Sequence, residues 1–341
     1  MSTQTVRVEV IGSGVAGLCC AYLFAMRGCK VLLRSASNGF SEACCSWWAG
    51  GMLAPWCELE SAEPLIAELG QESSDFWKSH TDEVVCQGSL VLASKRDKPD
   101  VLQFASRTKN FSTLDAQQIA RLEPDLAGRF DTGLFFETES HLNPRTALLS
   151  LQTKLQAFPN VTFEFASEVS SQALAVYDNC DWRVDCRGLA ARNVLTDLRG
   201  VRGEMLLVKA PDVRLNRPVR LLHPRYPLYI VPRSDHTYMV GATMLESDDN
   251  GDVTVRSTME LLSAAYALHP AFAEATIIEL GADVRPAFTD NLPALRRHGK
   301  ALYVNGLYRH GFLCGPAVAQ RAVSLVLDSE IDERVVNEYC A

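Results

Sequence analysis

The sequence predicts an α/β fold of two parts, in which a parallel sheet flanked by helices is interrupted by an inserted antiparallel sheet, an α+β arrangement of two domains. Strand and helix patterns alternate at both ends of the chain, strand patterns dominate from 204 to 243, and 341 residues exceed one ordinary core. We expect a discontinuous first domain that consists of residues 1–85, 140–203 and 282–341. The second domain is expected to consist of residues 86–139 and 204–281.

The first unit is a β-α-β pattern at the N-terminus. Residues 6–11 alternate like a strand, the G-x-G-x-x-G turn Gly12 to Gly17 follows, 18–27 has a helical pattern, and 29–34 is a second strand. The three glycines permit a tight turn, a close backbone approach to a pyrophosphate, and close packing of helix on strand. The helix start then presents free N–H groups to phosphates. This context predicts a Rossmann-like dinucleotide-binding unit.

The end of the second strand departs from the usual pattern. An acidic residue about 20 positions after the glycines normally binds the adenosine ribose, but here Arg34 is followed by Ser35. Arg34 could pair with the 2′-phosphate of NADP, contact the adenine or phosphates of a flavin cofactor, or lie in solvent. The unit alone leaves the cofactor open.

A loop rich in serine, glycine and tryptophan spans residues 41–55. Gly50 and Gly51 let the main chain approach a large flat ligand, and Ser46 offers a hydroxyl group to a phosphate. The loop therefore predicts a ligand contact, with a simple turn as the alternative.

The middle of the chain supplies the expected inserted sheet. Helical patterns cover 60–79, 97–123, a segment from the Asn143-Pro144 cap to about 157, and 255–268. Strand patterns cover 89–94, 161–166, 183–187, 204–209, 218–222, 227–232, 236–243 and 275–281.

A second strand-turn-helix unit lies near the C-terminus. Residues 302–305 form a short strand, 306–315 a turn punctuated by glycine, and 316–328 a helix. A nicotinamide enzyme does not need this second unit, whereas a flavoprotein uses a separate segment to hold the isoalloxazine end. The unit therefore favours a flavin cofactor.

Composition excludes several classes of partner. The formal net charge is −8 and no basic run exceeds Arg296-Arg297, which argues against nucleic acid and anionic membranes. The eleven cysteines contain no C-x-x-C, and the histidines show no H-x-x-x-H spacing, so no metal site is expected. No apolar stretch reaches membrane-spanning length, and we expect a reduced, cytoplasmic protein.

Together, these motifs resemble the glycine oxidases of the D-amino-acid-oxidase family, the type used in bacterial thiamine biosynthesis. The matching segments span almost the whole chain in the family's order: the 12–17 glycine motif, 49–55 (AGGMLAP), 228–233 (LYIVPR), 240–244 (VGATM), 284–286 (VRP), 290–293 (DNLP) and 306–311 (GLYRHG).

The resemblance implies FAD bound without a covalent bond, since residues 280–300 contain no cysteine. It implies that Arg285 and Arg309 contact the substrate carboxylate, and that Tyr229 and Met244 line the substrate pocket. Structural acidic partners for either arginine are the alternative. The residues expected at the cofactor are Gly12, Gly14, Val15, Ala16, Gly17, Arg34, Ser35, Cys45, Ser46, Gly50, Gly51, Met52, Val169, Leu307, Tyr308, Arg309, His310, Gly311, Phe312 and Leu313.

The expected reaction is oxidation of glycine or a similar small amino acid to an imine, with oxygen as acceptor and hydrogen peroxide as product. The imine would hydrolyse to glyoxylate or enter thiazole synthesis, with the thiazole synthase machinery as a partner, and we expect a homo-oligomer. The alternatives are a dehydrogenase of the same fold that passes electrons to a carrier, and a flavoprotein that modifies a protein-bound or RNA-bound amine. An NADP-dependent reductase and a non-catalytic binding protein complete the set.

Overall fold

The computed structural model describes residues 5–167, 169, 180–223 and 228–338 of the chain. The helices are α1 (Val15–Met26), α2 (Pro55–Glu58), α3 (Pro64–His80), α4 (Lys98–Ser106), α5 (Ala116–Leu122), α6 (Pro144–Gln156), α7 (Val255–Leu268) and α8 (Gly311–Leu327). The strands are β1 (Arg7–Ile11), β2 (Lys30–Arg34), β3 (Met52–Leu53), β4 (Ser89–Leu92), β5 (Ser112–Asp115), β6 (Thr132–Phe136), β7 (Ser140–His141), β8 (Val161–Glu164), β9 (Trp182–Asp185), β10 (Arg199–Lys209), β11 (Val219–Leu221), β12 (Leu228–Pro232), β13 (Thr237–Gly241), β14 (Thr276–Ala287), β15 (Ala294–His298), β16 (Ala301–Asn305) and β17 (Val336–Glu338).

The first sheet has the strand order β17-β15-β16-β9-β1-β2-β8. Its five strands from β16 to β8 run parallel, as the β-α-β pattern predicts. Every residue of α1 except Met26 is buried, because the helix packs between this sheet, α6 and α8. A helix covered on all sides must be apolar all round, which explains why its sequence resembles a membrane segment.

The C-terminal helix begins earlier than expected. The sequence predicted a turn through Gly315 and a helix from Pro316, but α8 starts at Gly311 and contains Pro316. A proline has no N–H group, so the carbonyl four residues before it loses its usual donor. That carbonyl belongs to Phe312, and it accepts a hydrogen bond from Trp77 Nε1 at 2.8 Å. The hydrogen bond from Trp77 therefore replaces the helical bond that Pro316 cannot donate. The helix can begin before the proline, and the predicted start at Pro316 is wrong.

The second sheet has the order β14-β10-β13-β12-β11-β4-β6-β5 and is antiparallel except where β11 pairs with β4. The helix predicted over 97–123 is interrupted by β5. Asp115 ends that strand and caps α5, since its carboxylate accepts from the backbone N–H of Gln118. The strand predicted at 227–232 is β12, apart from residue 227, which lies outside the described residues.

The longest pairing in the second sheet joins β10 and β14. The predicted strand 275–281 is the first half of β14, which continues to Ala287 and so contains Arg285. The predicted domain boundaries at 203/204 and 281/282 fall inside these two strands, and the division into two domains stays a prediction. Within the ranges that the structure describes, no helix combines the length and apolarity needed to cross a membrane.

Candidate active site

A cavity of about 1090 Å³ lies between the two sheets. The segments that follow β1, β2, β9 and β16 form one side, so the cavity lies at the carboxyl ends of the parallel strands, where open α/β sheets bind their ligands. The other side is built from the second sheet, including Gly203, Tyr229 and Met239.

Most of the residues predicted from the sequence line this cavity, and only two do not. The lining set is Gly12, Gly14, Val15, Ala16, Ser35, Cys45, Ser46, Gly50, Gly51, Met52, Val169, Tyr229, Met244, Arg285, Leu307, Tyr308, Arg309, His310, Gly311, Phe312 and Leu313. Gly17 and Arg34 lie elsewhere.

The glycine motif meets the steric demands expected of it. Gly12 has a φ of +108°, and a Cβ atom there would lie 2.6 Å from the Cys186 carbonyl oxygen. A Cβ atom on Gly17 would overlap the Gly12 carbonyl, so Gly17 serves the packing of α1 on the turn and not the cavity wall. At Gly14 the added atom would lie 2.9 Å from Cys44 Sγ. Only glycine lets the main chain approach its neighbours this closely.

Hydroxyl groups cluster at the start of α1. The Val15 N–H donates to Ser46 Oγ at 3.1 Å, which ties the serine-rich loop to the helix N-terminus. Ser13 Oγ and Ser35 Oγ are 2.8 Å apart, and Ser37 Oγ lies 3.1 Å from Ser35 Oγ. A helix start with its free N–H groups and neighbouring hydroxyl groups suits a pyrophosphate.

Arg34 is held away from the cavity. Its guanidinium group forms ion pairs with Glu9, at 3.0 Å, and with Glu164, at 2.7 Å. A contact between Arg34 and the adenosine half of a cofactor stays a prediction.

The second strand-turn-helix unit, which follows β16, lines the same side of the cavity as the first. Residues 307–313 line it, and the first N–H groups of α8, which begins at Gly311, have no partner within the helix. The Tyr308 N–H donates to the Pro286 carbonyl at 2.9 Å. This backbone hydrogen bond brings the segment of Arg309 against that of Arg285.

Arg285 has no ion-pair partner among the residues that the structure describes. It is opposite Val201 in the β10–β14 register, and its guanidinium group covers Gly203, where any Cβ atom would collide with it. Among the described residues no carboxylate lies within ion-pairing distance of Arg285, and its hydrogen bond goes to the Thr243 carbonyl at 3.2 Å. Nearby Asp283 accepts from the Val284 N–H at 2.6 Å. Burial lowers the pKa of Arg285, because the guanidinium charge loses contact with water.

Arg309 has a carboxylate partner that the sequence did not reveal. Its Nη2 atom lies 2.8 Å from Glu58 Oε2 and donates to Ser61 Oγ at 2.8 Å. Glu58 also accepts from the Tyr229 hydroxyl at 3.2 Å, and its Oε2 lies 3.0 Å from His310 Nε2. Burial alone would favour the neutral acid, but Arg309 and His310 hold the pKa of Glu58 well below its usual range. Glu58 is therefore a carboxylate in the cavity wall.

Sequence reasoning also missed a second ion pair beside the first. Arg220 is buried, and its Nη2 atom lies 3.3 Å from Glu60 Oε2. Its guanidinium group stacks over the Phe104 and Tyr229 rings, at 4.8 and 5.2 Å from their centroids. The only available signal was the pair of glutamates in the apolar stretch after Pro55. Burial raises the pKa of Tyr229 to about 12, so this hydroxyl stays protonated.

Comparison with known proteins agrees with this geometry. A family model described as FAD dependent oxidoreductase (DAO) matches residues 7–325. A Rhizobium etli protein with the provisional name thiamine biosynthesis oxidoreductase ThiO is 49% identical over 325 residues, which cover 95% of this chain and 97% of the relative. A glycine oxidase of Bacillus licheniformis is 25% identical and matches 97% of this chain and 96% of its own length.

The crystal structure of glycine oxidase from Geobacillus kaustophilus has the same fold, with a TM-score of 0.81 at 22% identity over 96% of both chains. The chain also matches 53% of a bifunctional ThiO/ThiG protein of Trichormus variabilis, at 24% identity and with 95% of its own length covered. The predicted fold class, the FAD cofactor and the enzymatic nature of the protein are thereby confirmed. The chain belongs to the family of FAD-dependent oxidoreductases.

Proposed function

We propose that the protein oxidises a small amino acid, glycine first of all, at the bond between Cα and the amine. Arg285 carries this proposal, because its half-buried guanidinium group lines the cavity without a carboxylate partner among the described residues and can therefore take an anion from outside the described fold. The relatives named glycine oxidase and ThiO support the same substrate class.

The shape of arginine suits this task. Its planar fork binds a carboxylate through two parallel hydrogen bonds and keeps its charge when water is removed. With the substrate carboxylate on Arg285, the ion pair between Arg309 and Glu58 closes the adjoining wall, at 2.8 Å. The Tyr229 hydroxyl, which stays protonated, completes that wall. These groups fix the direction in which the amine and Cα of the substrate face the cofactor.

The residues that line the cavity after β1 and after β16 would hold FAD, which would supply the acceptor for the hydride from Cα; with loss of one proton from the amine, glycine would become an imine. Oxygen then takes up two electrons and two protons to give hydrogen peroxide, and water converts the imine into glyoxylate and ammonia. No protein general base is required for hydride transfer, so the contribution of the chain is positioning and exclusion of water.

We further propose that the imine is supplied to thiazole formation. The relative that joins ThiO to ThiG in one chain supports this link. Non-covalent attachment of FAD, homo-oligomer formation and a cytoplasmic location are parts of the same proposal that rest on the resemblance alone.

The test is a peroxide assay on the purified yellow protein with glycine, sarcosine and D-alanine. We expect peroxide with glycine, and intact FAD in solution after acid or heat. If glycine reduces an electron carrier and no peroxide forms, the acceptor is the carrier and not oxygen. No oxidation of any small amino acid under either condition would overturn the proposed function.

A further inference from the structure

The arginines that line the cavity differ in whether they have a carboxylate partner, and this difference bears on the choice of substrate. Three arginines in the cavity wall have carboxylate partners: Arg309 with Glu58 at 2.8 Å, Arg220 with Glu60 at 3.3 Å and Arg187 with Asp185 at 2.7 Å. Arg285 has none among the described residues. The four arginines of the wall therefore offer one guanidinium group without a carboxylate partner among the described residues, which matches a substrate with one carboxylate.

Glu58 is held firmly in this arrangement. It is 8% exposed and ends the short helix α2, which Pro55 begins. The Cys57 N–H next to it donates to the buried Glu139 carboxylate at 2.7 Å, which fixes the backbone of this turn. The side chain has partners on both oxygens, so it cannot leave Arg309 without losing several hydrogen bonds.

We infer that Glu58 is a specificity-determining residue, which occupies Arg309 and thereby restricts the enzyme to amines that carry a single carboxylate. The inference rests on the proposed function, because it assigns Arg285 to the substrate carboxylate. Glu58 stands in for a second substrate carboxylate on Arg309. A dicarboxylic amine, such as iminodiacetate or D-aspartate, would have to displace it and would meet its negative charge.

Glu58→Gln removes this charge with almost no change of shape. The glutamine oxygen can still accept from Tyr229, while Arg309 loses its counter-ion and becomes available to a second ligand carboxylate. Since one charge-assisted hydrogen bond is at stake, the preference should move toward dicarboxylates by about 10- to 100-fold.

The inference can be tested on the holoenzyme without turnover. Acetate and malonate are titrated against the flavin absorbance of the wild-type protein and of Glu58→Gln. In the wild type, acetate should bind at least about 10-fold more tightly than malonate. In the variant, the affinity for malonate relative to that for acetate should rise about 10- to 100-fold. The kcat/KM for iminodiacetate relative to that for glycine should rise in parallel.

Two further variants control for indirect effects. Glu123→Gln removes another buried glutamate from an arginine pair, with Arg217 at 2.7 Å, outside the cavity wall, and should leave the ratio unchanged. The double variant Glu58→Gln/Arg309→Met should lose the gain, because the receiving guanidinium group is gone.

The outcomes separate the two proposals. Malonate binding to the wild type as tightly as acetate overturns the role of Glu58 even if Glu58→Gln fails to fold. An unchanged ratio in a folded, FAD-containing Glu58→Gln variant overturns it as well. If the titrations give the expected affinities but the enzyme oxidises no amino acid, the proposed function is refuted and the role of Glu58 in carboxylate binding is retained.

Discussion

Removal of the Arg285 charge should abolish most activity and leave the fold intact. Arg285→Met keeps an unbranched apolar side chain and deletes the guanidinium group, which covers Gly203 and would bind the substrate carboxylate. A buried bidentate contact of this kind is worth about 2–5 kcal/mol. At about 1.4 kcal/mol per tenfold change, kcat/KM for glycine should fall about 30- to 4,000-fold.

The stability of Arg285→Met should stay the same or rise, although its activity falls. Burial lowers the pKa of Arg285, which means that the fold disfavours its charge, and the guanidinium group makes one hydrogen bond, to Thr243. That bond is worth about 1 kcal/mol, and its loss is offset because no unpaired charge is left buried. The melting temperature of Arg285→Met should therefore equal or exceed that of the wild type.

The assay measures peroxide formation with glycine together with the melting temperature and the flavin content of each variant. Arg285→Lys should recover only part of the activity, because an ammonium group cannot reproduce the planar fork. A variant that is much less stable but nearly fully active would show that Arg285 has a structural partner, and the carboxylate assignment would have to be abandoned.

Three other substitutions give distinct results. Arg309→Met leaves the Glu58 carboxylate buried beside a lost partner, so it should destabilise the protein by about 3 kcal/mol, whereas an unchanged urea midpoint would show that the pair contributes little. Arg34→Ala breaks its ion pairs with Glu9 and Glu164 and should lower the melting temperature; if the predicted contact with the adenosine exists, FAD retention should fall as well, and unchanged retention would exclude that contact. Burial raises the pKa of Glu139 from 4.5 to about 7, so its stabilising contribution, complete below pH 4.5, is lost as the pH rises through 7 and amounts to about 3 kcal/mol. Between pH 5 and pH 8 the melting temperature of the wild type should fall more than that of Glu139→Gln, and parallel curves would contradict this assignment.

The sequence was most informative where chemistry imposes a local pattern. The glycines from Gly12 to Gly17 serve a turn, a close approach and a helix contact that all lie within six residues, so their spacing was enough to predict them. The same holds for Asn143, whose side chain accepts from the Arg145 N–H as the cap pattern predicted. Local rules can be recognised without knowledge of the rest of the fold.

The start of α8 could not be predicted for the opposite reason. Gly311, Gly315 and Pro316 have low helix propensity, which favoured a turn. The structure overrides this preference, because Trp77 satisfies the carbonyl that Pro316 leaves without a donor. The two residues of this hydrogen bond are 235 positions apart in the chain, beyond the reach of any local rule.

Arg285 and Arg309 show that local sequence rules can fail even within one site. The family resemblance assigned Arg285 to the substrate carboxylate, and in the structure no described carboxylate forms an ion pair with it. The sequence offered the same argument for Arg309, yet the structure gives Arg309 a carboxylate 251 positions earlier in the chain, so its isolation in the sequence was only local. The sequence treats both arginines alike. Only the fold distinguishes Arg285, which has no carboxylate partner among the described residues, from Arg309, which pairs with Glu58. If Glu58 has the role that we infer for it, that distinction, and not the number of arginines, sets how many carboxylates the cavity can bind.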